Sequence, residues 1–117
     1  MMMDAARTAT RLKPSVAALL ARARSRLEAH YGPRLAGVVL YGSIARRAEH
    51  PESDVDLLVL LHGELDYFRE LRTLVEVLYP LQLESDRLIS ALPASVEEYS
   101  AGSLQLHRNA PREGLVV

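Results

Sequence analysis

The sequence predicts an α/β (α+β) fold: a small mixed β-sheet with helices packed on it. Three observations predict it. The runs LAGVVLY (35–41) and DVDLLVLL (54–61) are short, rich in Leu and Val, and bounded by glycine or a polar loop, as buried strands are. Two longer segments instead carry apolar residues at three- and four-residue spacing, the period of a half-buried helix. The two kinds of segment alternate along 117 residues, which suits one layer of helices on one sheet.

The elements follow in order. Residues 1–11 have no apolar stripe and read as a flexible N-terminal arm, leaving 12–117 as a single domain. Pro14 suits the first turn of a helix, where its missing N–H costs nothing. Val16, Leu19, Leu20, Ala23 and Leu27 give that helix its stripe, and Gly32 followed by Pro33 ends it. The strand 35–41 runs into Gly42-Ser43, a short helix is expected over 44–50, and a loop precedes the strand 54–61. Residues 64–79 form a second amphipathic helix with Phe68, Leu71, Leu74, Val75 and Leu78 as its stripe, and Pro80 is expected to stop it. Residues 81–92 then read as a third strand. Ser95 and Glu98 have capping-box spacing for another short helix, and the tail is expected to hold a helical turn and a terminal extended piece.

Composition removes several function classes. Fourteen basic residues against fifteen acidic ones leave a net charge of −1, which does not suit a general nucleic-acid coat. With no cysteine there is no disulfide, thiolate–metal or thiol-nucleophile chemistry. No apolar run reaches the roughly 18 residues of a membrane span, and the first residues lack the apolar core of a secretory signal. The expectation is a cytoplasmic protein. His30, His50, His62 and His107 lack metal-ligand spacing and read as surface residues, and Tyr41 reads as a packing residue.

The stretch YGSIARRAEHPESDVDLLV (41–59) carries the chemistry. On a strand, residues two apart share a face about 7 Å apart, so Asp54 and Asp56 project together. Two neighbouring carboxylates repel unless a divalent cation lies between them. Mg²⁺ favours one or two carboxylates completed by phosphate oxygens and water. Gly42 lets a ligand approach the backbone, and Ser43, at the start of a short helix, can offer its N–H and hydroxyl to a phosphate. Arg46, one turn on, can add positive charge to the same phosphate. A phosphate seat and a metal seat are thus joined by the ten residues from Ile44 to Ser53.

These residues resemble the signature of the DNA polymerase β-like nucleotidyltransferase superfamily, most closely its minimal nucleotidyltransferase (MNT) branch: Gly-Ser, ten residues, then Asp-x-Asp. Ala45-Arg46, Ser53 and the apolar Leu57-Leu58-Val59 agree with it as well. The resemblance implies transfer of a nucleotidyl group from ATP or another NTP, with Asp54 and Asp56 holding one Mg²⁺ or two and Gly42, Ser43 and Arg46 holding the triphosphate. It also implies a third acid on the next strand. The matching stretch ISALPAS (89–95) has Ser90 at that place, so Asp86, four residues earlier, is the expected stand-in, with Glu84 before it. Small members of the family pair with a helical HEPN protein in toxin–antitoxin modules, and some transfer AMP to that partner. The expected role is therefore an antitoxin that adenylylates its HEPN partner. The alternative is a catalytically weak or inactive nucleotide-binding module that neutralises the partner by binding alone. A homo-oligomer is compatible with either.

Overall fold

The structure is a computed structural model, and it describes residues 14–41, 54–101 and 115–117. Helix α1 spans Pro14–Tyr31 and ends in a 3-10 turn, Gly32–Arg34. Strand β1 (Leu35–Tyr41) and strand β2 (Val55–Leu61) follow. Helix α2 (Tyr67–Glu84), strand β3 (Ile89–Ser95), helix α3 (Val96–Ala101) and strand β4 (Leu115–Val116) complete the order. The expected arm at 1–11, the short helix at 44–50 and the helical turn of the tail lie outside the described residues.

The sheet is mixed, in the order β3-β2-β1-β4. β1 pairs antiparallel with β2 and with β4, so the expected terminal extended piece closes one edge. β2 and β3 are parallel, joined across α2. β2 is apolar nearly throughout because both its faces are covered. Val55, Leu57, Val59 and Leu61 pack with Val16, Leu20 and Leu27 of α1 and Leu74, Leu78 and Leu81 of α2. Leu58 and Leu60 turn the other way, onto Val39 and Ala94, with Val96 and Tyr99 of α3 beside them.

The termini of the helices follow their local chemistry. Gly32 has φ of +55°, the left-handed conformation that ends α1. Asp66 caps α2 by accepting from the Arg69 N–H at 3.3 Å. The Ser95 cap is also found: its Oγ accepts from the Glu98 N–H at 3.3 Å. Its hydroxyl donates to the Glu97 carboxylate, and this hydrogen bond is the main reason the Glu97 pKa is lowered.

Two expectations are corrected. Pro80 does not stop α2, which runs on to Glu84, so 81–84 is helical and β3 begins only at Ile89. Leu81 is 1% exposed and continues the buried line of Leu74 and Leu78, and its burial favours another turn of helix. Proline removes one helical hydrogen bond here, and the Arg26 Nε donates to the nearby Val77 carbonyl at 2.7 Å. The buried face of α2 also differs. Leu74 and Leu78 are in the core, whereas Phe68 is 77% and Val75 61% exposed.

Part of that rotation belongs to Glu70, the one buried charged residue among those described. Its carboxylate accepts from the Tyr31 hydroxyl at 3.1 Å and from Arg34 Nη1 at 2.6 Å. Arg34 also donates to the His62 and Glu64 carbonyls, tying the turn after α1 to the loop before α2. Burial, then the adjacent Glu70 carboxylate, raises the Tyr31 pKa well above its ordinary value near 10. A raised folded pKa means that the unfolded chain loses this proton first as pH rises. The contribution is whole below about pH 10 and lost as pH climbs through the folded value. Urea unfolding at several pH values from about 9 to 11 is therefore expected to show falling stability, with a shallower fall for Tyr31→Phe. Equal slopes for the two proteins would refute this account of Tyr31.

Candidate functional site

The sheet register builds the site. Asp54 is exposed immediately before β2, and Asp56 is half-buried in its first turn of pleat. Asp56 lies opposite Tyr41 on β1 and beside Ser90 on β3. Residues paired in register share a face, so Tyr41, Asp56 and Ser90 form a row across three strands, with neighbouring strands about 4.8 Å apart. This is the face of Leu58 and Leu60, opposite to the one covered by α1 and α2. Asp54 extends the row toward solvent, since it shares parity with Asp56.

The sequence makes this arrangement locally. Val55 and Leu57 are fully buried against the helices, which fixes the pleat and forces the two aspartates to the other side. The Val55 N–H donates to the Leu88 carbonyl at 2.8 Å and so sets the register of β3. That bond brings Ser90 level with Asp56.

The donor set fits a hard divalent cation such as Mg²⁺. Two carboxylates lie on one face at a strand end, one of them exposed, and a hydroxyl stands on the neighbouring strand. A cation placed between them would offset the repulsion of two like charges. Tyr41 adds to this. Burial, and next the Asp56 carboxylate, pushes its hydroxyl up to about 12, so it is a neutral hydrogen-bond donor at physiological pH. Sequence reasoning treated Tyr41 as packing alone. Its position at the end of β1, on the same ladder rung as Asp56, was not visible until the strand register was known.

The expected stand-in acid is not found on this face. Asp86 lies in the turn between α2 and β3 rather than on a strand, because the helix extends past Pro80. It lines a groove of about 270 Å³ with Ser15, Leu19 and Arg22 of α1, on the helix-covered side of the sheet. Glu84 pairs with Arg22. Among the described residues no three His, Cys, Asp or Glu side chains converge as a metal site. Gly42, Ser43 and Arg46 lie outside the described residues. A larger cavity, about 630 Å³, sits at the far end of the sheet, lined by His30, Arg34, Glu64, Asp66, Arg69 and Glu70. It contains none of the candidate residues, and with two arginines against three acids its lining gives it no preference for a phosphate.

Comparison with known proteins bears on the family and the fold. The family model described as "Polymerase beta, Nucleotidyltransferase" matches residues 27–113. The protein named "Putative protein adenylyltransferase MJ0604", from Methanocaldococcus jannaschii, is 32% identical over 92 residues, covering 78% of this chain and 86% of that protein. A crystal structure titled as a putative nucleotidyltransferase from Sulfolobus solfataricus superposes with a TM-score of 0.56. It covers 98% of this chain and 83% of that one at 15% identity, so it speaks to the fold alone.

Proposed function

Since this chain belongs to the polymerase β nucleotidyltransferase family, we propose that it transfers AMP from Mg-ATP to a hydroxyl group on a protein, acting as the antitoxin of a HEPN-type partner. The observation that carries the reading is the pair Asp54 and Asp56 on one face at the start of β2, inside the family match. The name of the Methanocaldococcus relative supports a protein acceptor.

Asp54 and Asp56 would hold the divalent ion, which when bound neutralises triphosphate charge and makes the α-phosphorus a better electrophile. In the transfer, the acceptor oxygen bonds to that phosphorus as the bond to the pyrophosphate oxygen breaks, and the acceptor loses its proton. Ser90 is not a base at neutral pH, so the proton passes to an aspartate or to water. The Tyr41 hydroxyl, kept neutral, stands on the side of Asp56 away from Ser90, within the same row, where it can offer a hydrogen bond to a carboxylate or a bound phosphate. Gly42, Ser43 and Arg46 are assigned to the triphosphate on the sequence motif.

The second reading, a binding-only module, is favoured by one observation: Ser90 stands where a third carboxylate would lie beside Asp56. Intact-mass analysis separates the two. The protein is incubated with Mg-ATP and the product of its neighbouring gene. Transfer predicts one or more added AMP groups on the partner, absent with Asp54→Asn/Asp56→Asn. A tight complex with no adduct, equally formed by the double variant, would leave the binding-only reading standing.

A further inference from the structure

Helix α2 has a second apolar face that no described residue covers. Phe68, Val75, Tyr79 and Leu83 are 77%, 61%, 55% and 69% exposed, with half-buried Leu71 at their margin. α1 lies on the other flank, where Arg22 meets Glu84 and Arg26 meets the Val77 carbonyl. The exposed flank therefore overlooks the β3 edge of the sheet.

That edge resists an added strand. The Leu88 carbonyl bonds to β2, so by alternation Ile89, Ala91 and Pro93 point their backbone groups outward. The Ile89 N–H is taken by Gln82 Oε1 at 2.7 Å, and Pro93 has none. Only Ala91 keeps an outward N–H among the three, so the occupant of this face is a helix rather than a strand.

We propose that the occupant is the same helix of a second copy, in an antiparallel two-fold dimer. Leu71, Val75, Tyr79 and Leu83 are spaced four residues apart and form a single i±4 ridge, the ridge that interdigitates in the commonest class of helix packing. The spacing is symmetric about position 77. An antiparallel mate thus sets Leu71 against Leu83 and Val75 against Tyr79, each contact occurring twice, which is the self-complementarity a two-fold interface requires. Arg72, which has no carboxylate partner among the described residues, lies beside the ridge, where it reaches the Tyr79 ring of the second copy. At roughly 150–200 Å² per large side chain, the exposed parts leave on the order of 500 Å² per copy, near the ~1,000 Å² total below which specific interfaces become transient. The dimer is reversible for that reason. The inference does not depend on the nucleotidyl-transfer reading.

Light scattering on the full chain tests it. Wild type is expected to be dimeric at about 200 µM and to dissociate on dilution, and Val75→Arg to stay monomeric with unchanged circular dichroism. The chain has no cysteine, so Val75→Cys and Tyr79→Cys each introduce a sole thiol. The mixture is expected to form the mixed disulfide dimer in preference to either self-pair. A monomer at every concentration, a dimer untouched by Val75→Arg, or a face occupied only by a different protein would overturn the proposal.

Discussion

Asp56→Asn is expected to lower nucleotidyl transfer by about a thousandfold, because losing a carboxylate at the metal seat removes several kcal/mol of charge stabilisation. The folded structure should survive. The substitution is nearly isosteric, so circular dichroism and the unfolding midpoint are expected to stay close to wild type. Asp86→Asn is the informative control. Asp86 sits in a turn against α1, on the opposite side of the sheet from Asp56, so its loss is expected to leave the rate within about twofold. A comparable loss from Asp86→Asn would mean that the turn at 85–88 moves its carboxylate into the site. The rate, measured as adenylyl incorporation per mole of acceptor, should also depend on added divalent ion.

Leu81→Ala is expected to cost about 2–5 kcal/mol in urea unfolding, whereas Leu83→Ala should cost no more than about 0.5 kcal/mol at monomeric concentrations. Both are leucines just past Pro80. Leu81 is 1% exposed and packs with Leu74 and Leu78, while Leu83 is 69% exposed. The contrast requires the helix to continue through Pro80. If 81–84 were instead an unpaired strand edge, the two substitutions would cost similar amounts.

The same segment marks the limit of what could be read in the sequence. α1, β1, β2, the Gly32 terminus and the Ser95 cap all came from local signals: a single apolar stripe, short runs rich in Leu and Val, a glycine and a capping serine. α2 carries two apolar stripes on one helix, and periodicity alone does not say which faces the core. The buried face is chosen by long-range partners: Tyr31 and Arg34 draw Glu70 inward, and the sheet receives Leu74, Leu78 and Leu81. Proline was a breaker by propensity, and burial outweighed it. For the site, Asp54 and Asp56 on one face followed from strand parity. The place of Ser90 beside Asp56 rested on family likeness until the parallel register showed it. Asp86 was misplaced because an assumed strand put it on an alternating face that does not exist. Tyr41 on the same rung could not be read at all, since pairing between β1 and β2 depends on the intervening chain and not on either strand alone.

Whether Asp54 and Asp56 form a metal seat for a nucleoside triphosphate can be measured without knowing the acceptor. Mn²⁺ can be titrated into the protein by electron paramagnetic resonance, with and without a non-hydrolysable ATP analogue, for wild type and for Asp54→Asn/Asp56→Asn. Wild type is expected to hold the ion, and the analogue to tighten its binding, while the folded double variant loses at least tenfold in affinity, about 1.4 kcal/mol. Equal Mn²⁺ binding by the two proteins, or nucleotide binding indifferent to the ion, would contradict the metal seat.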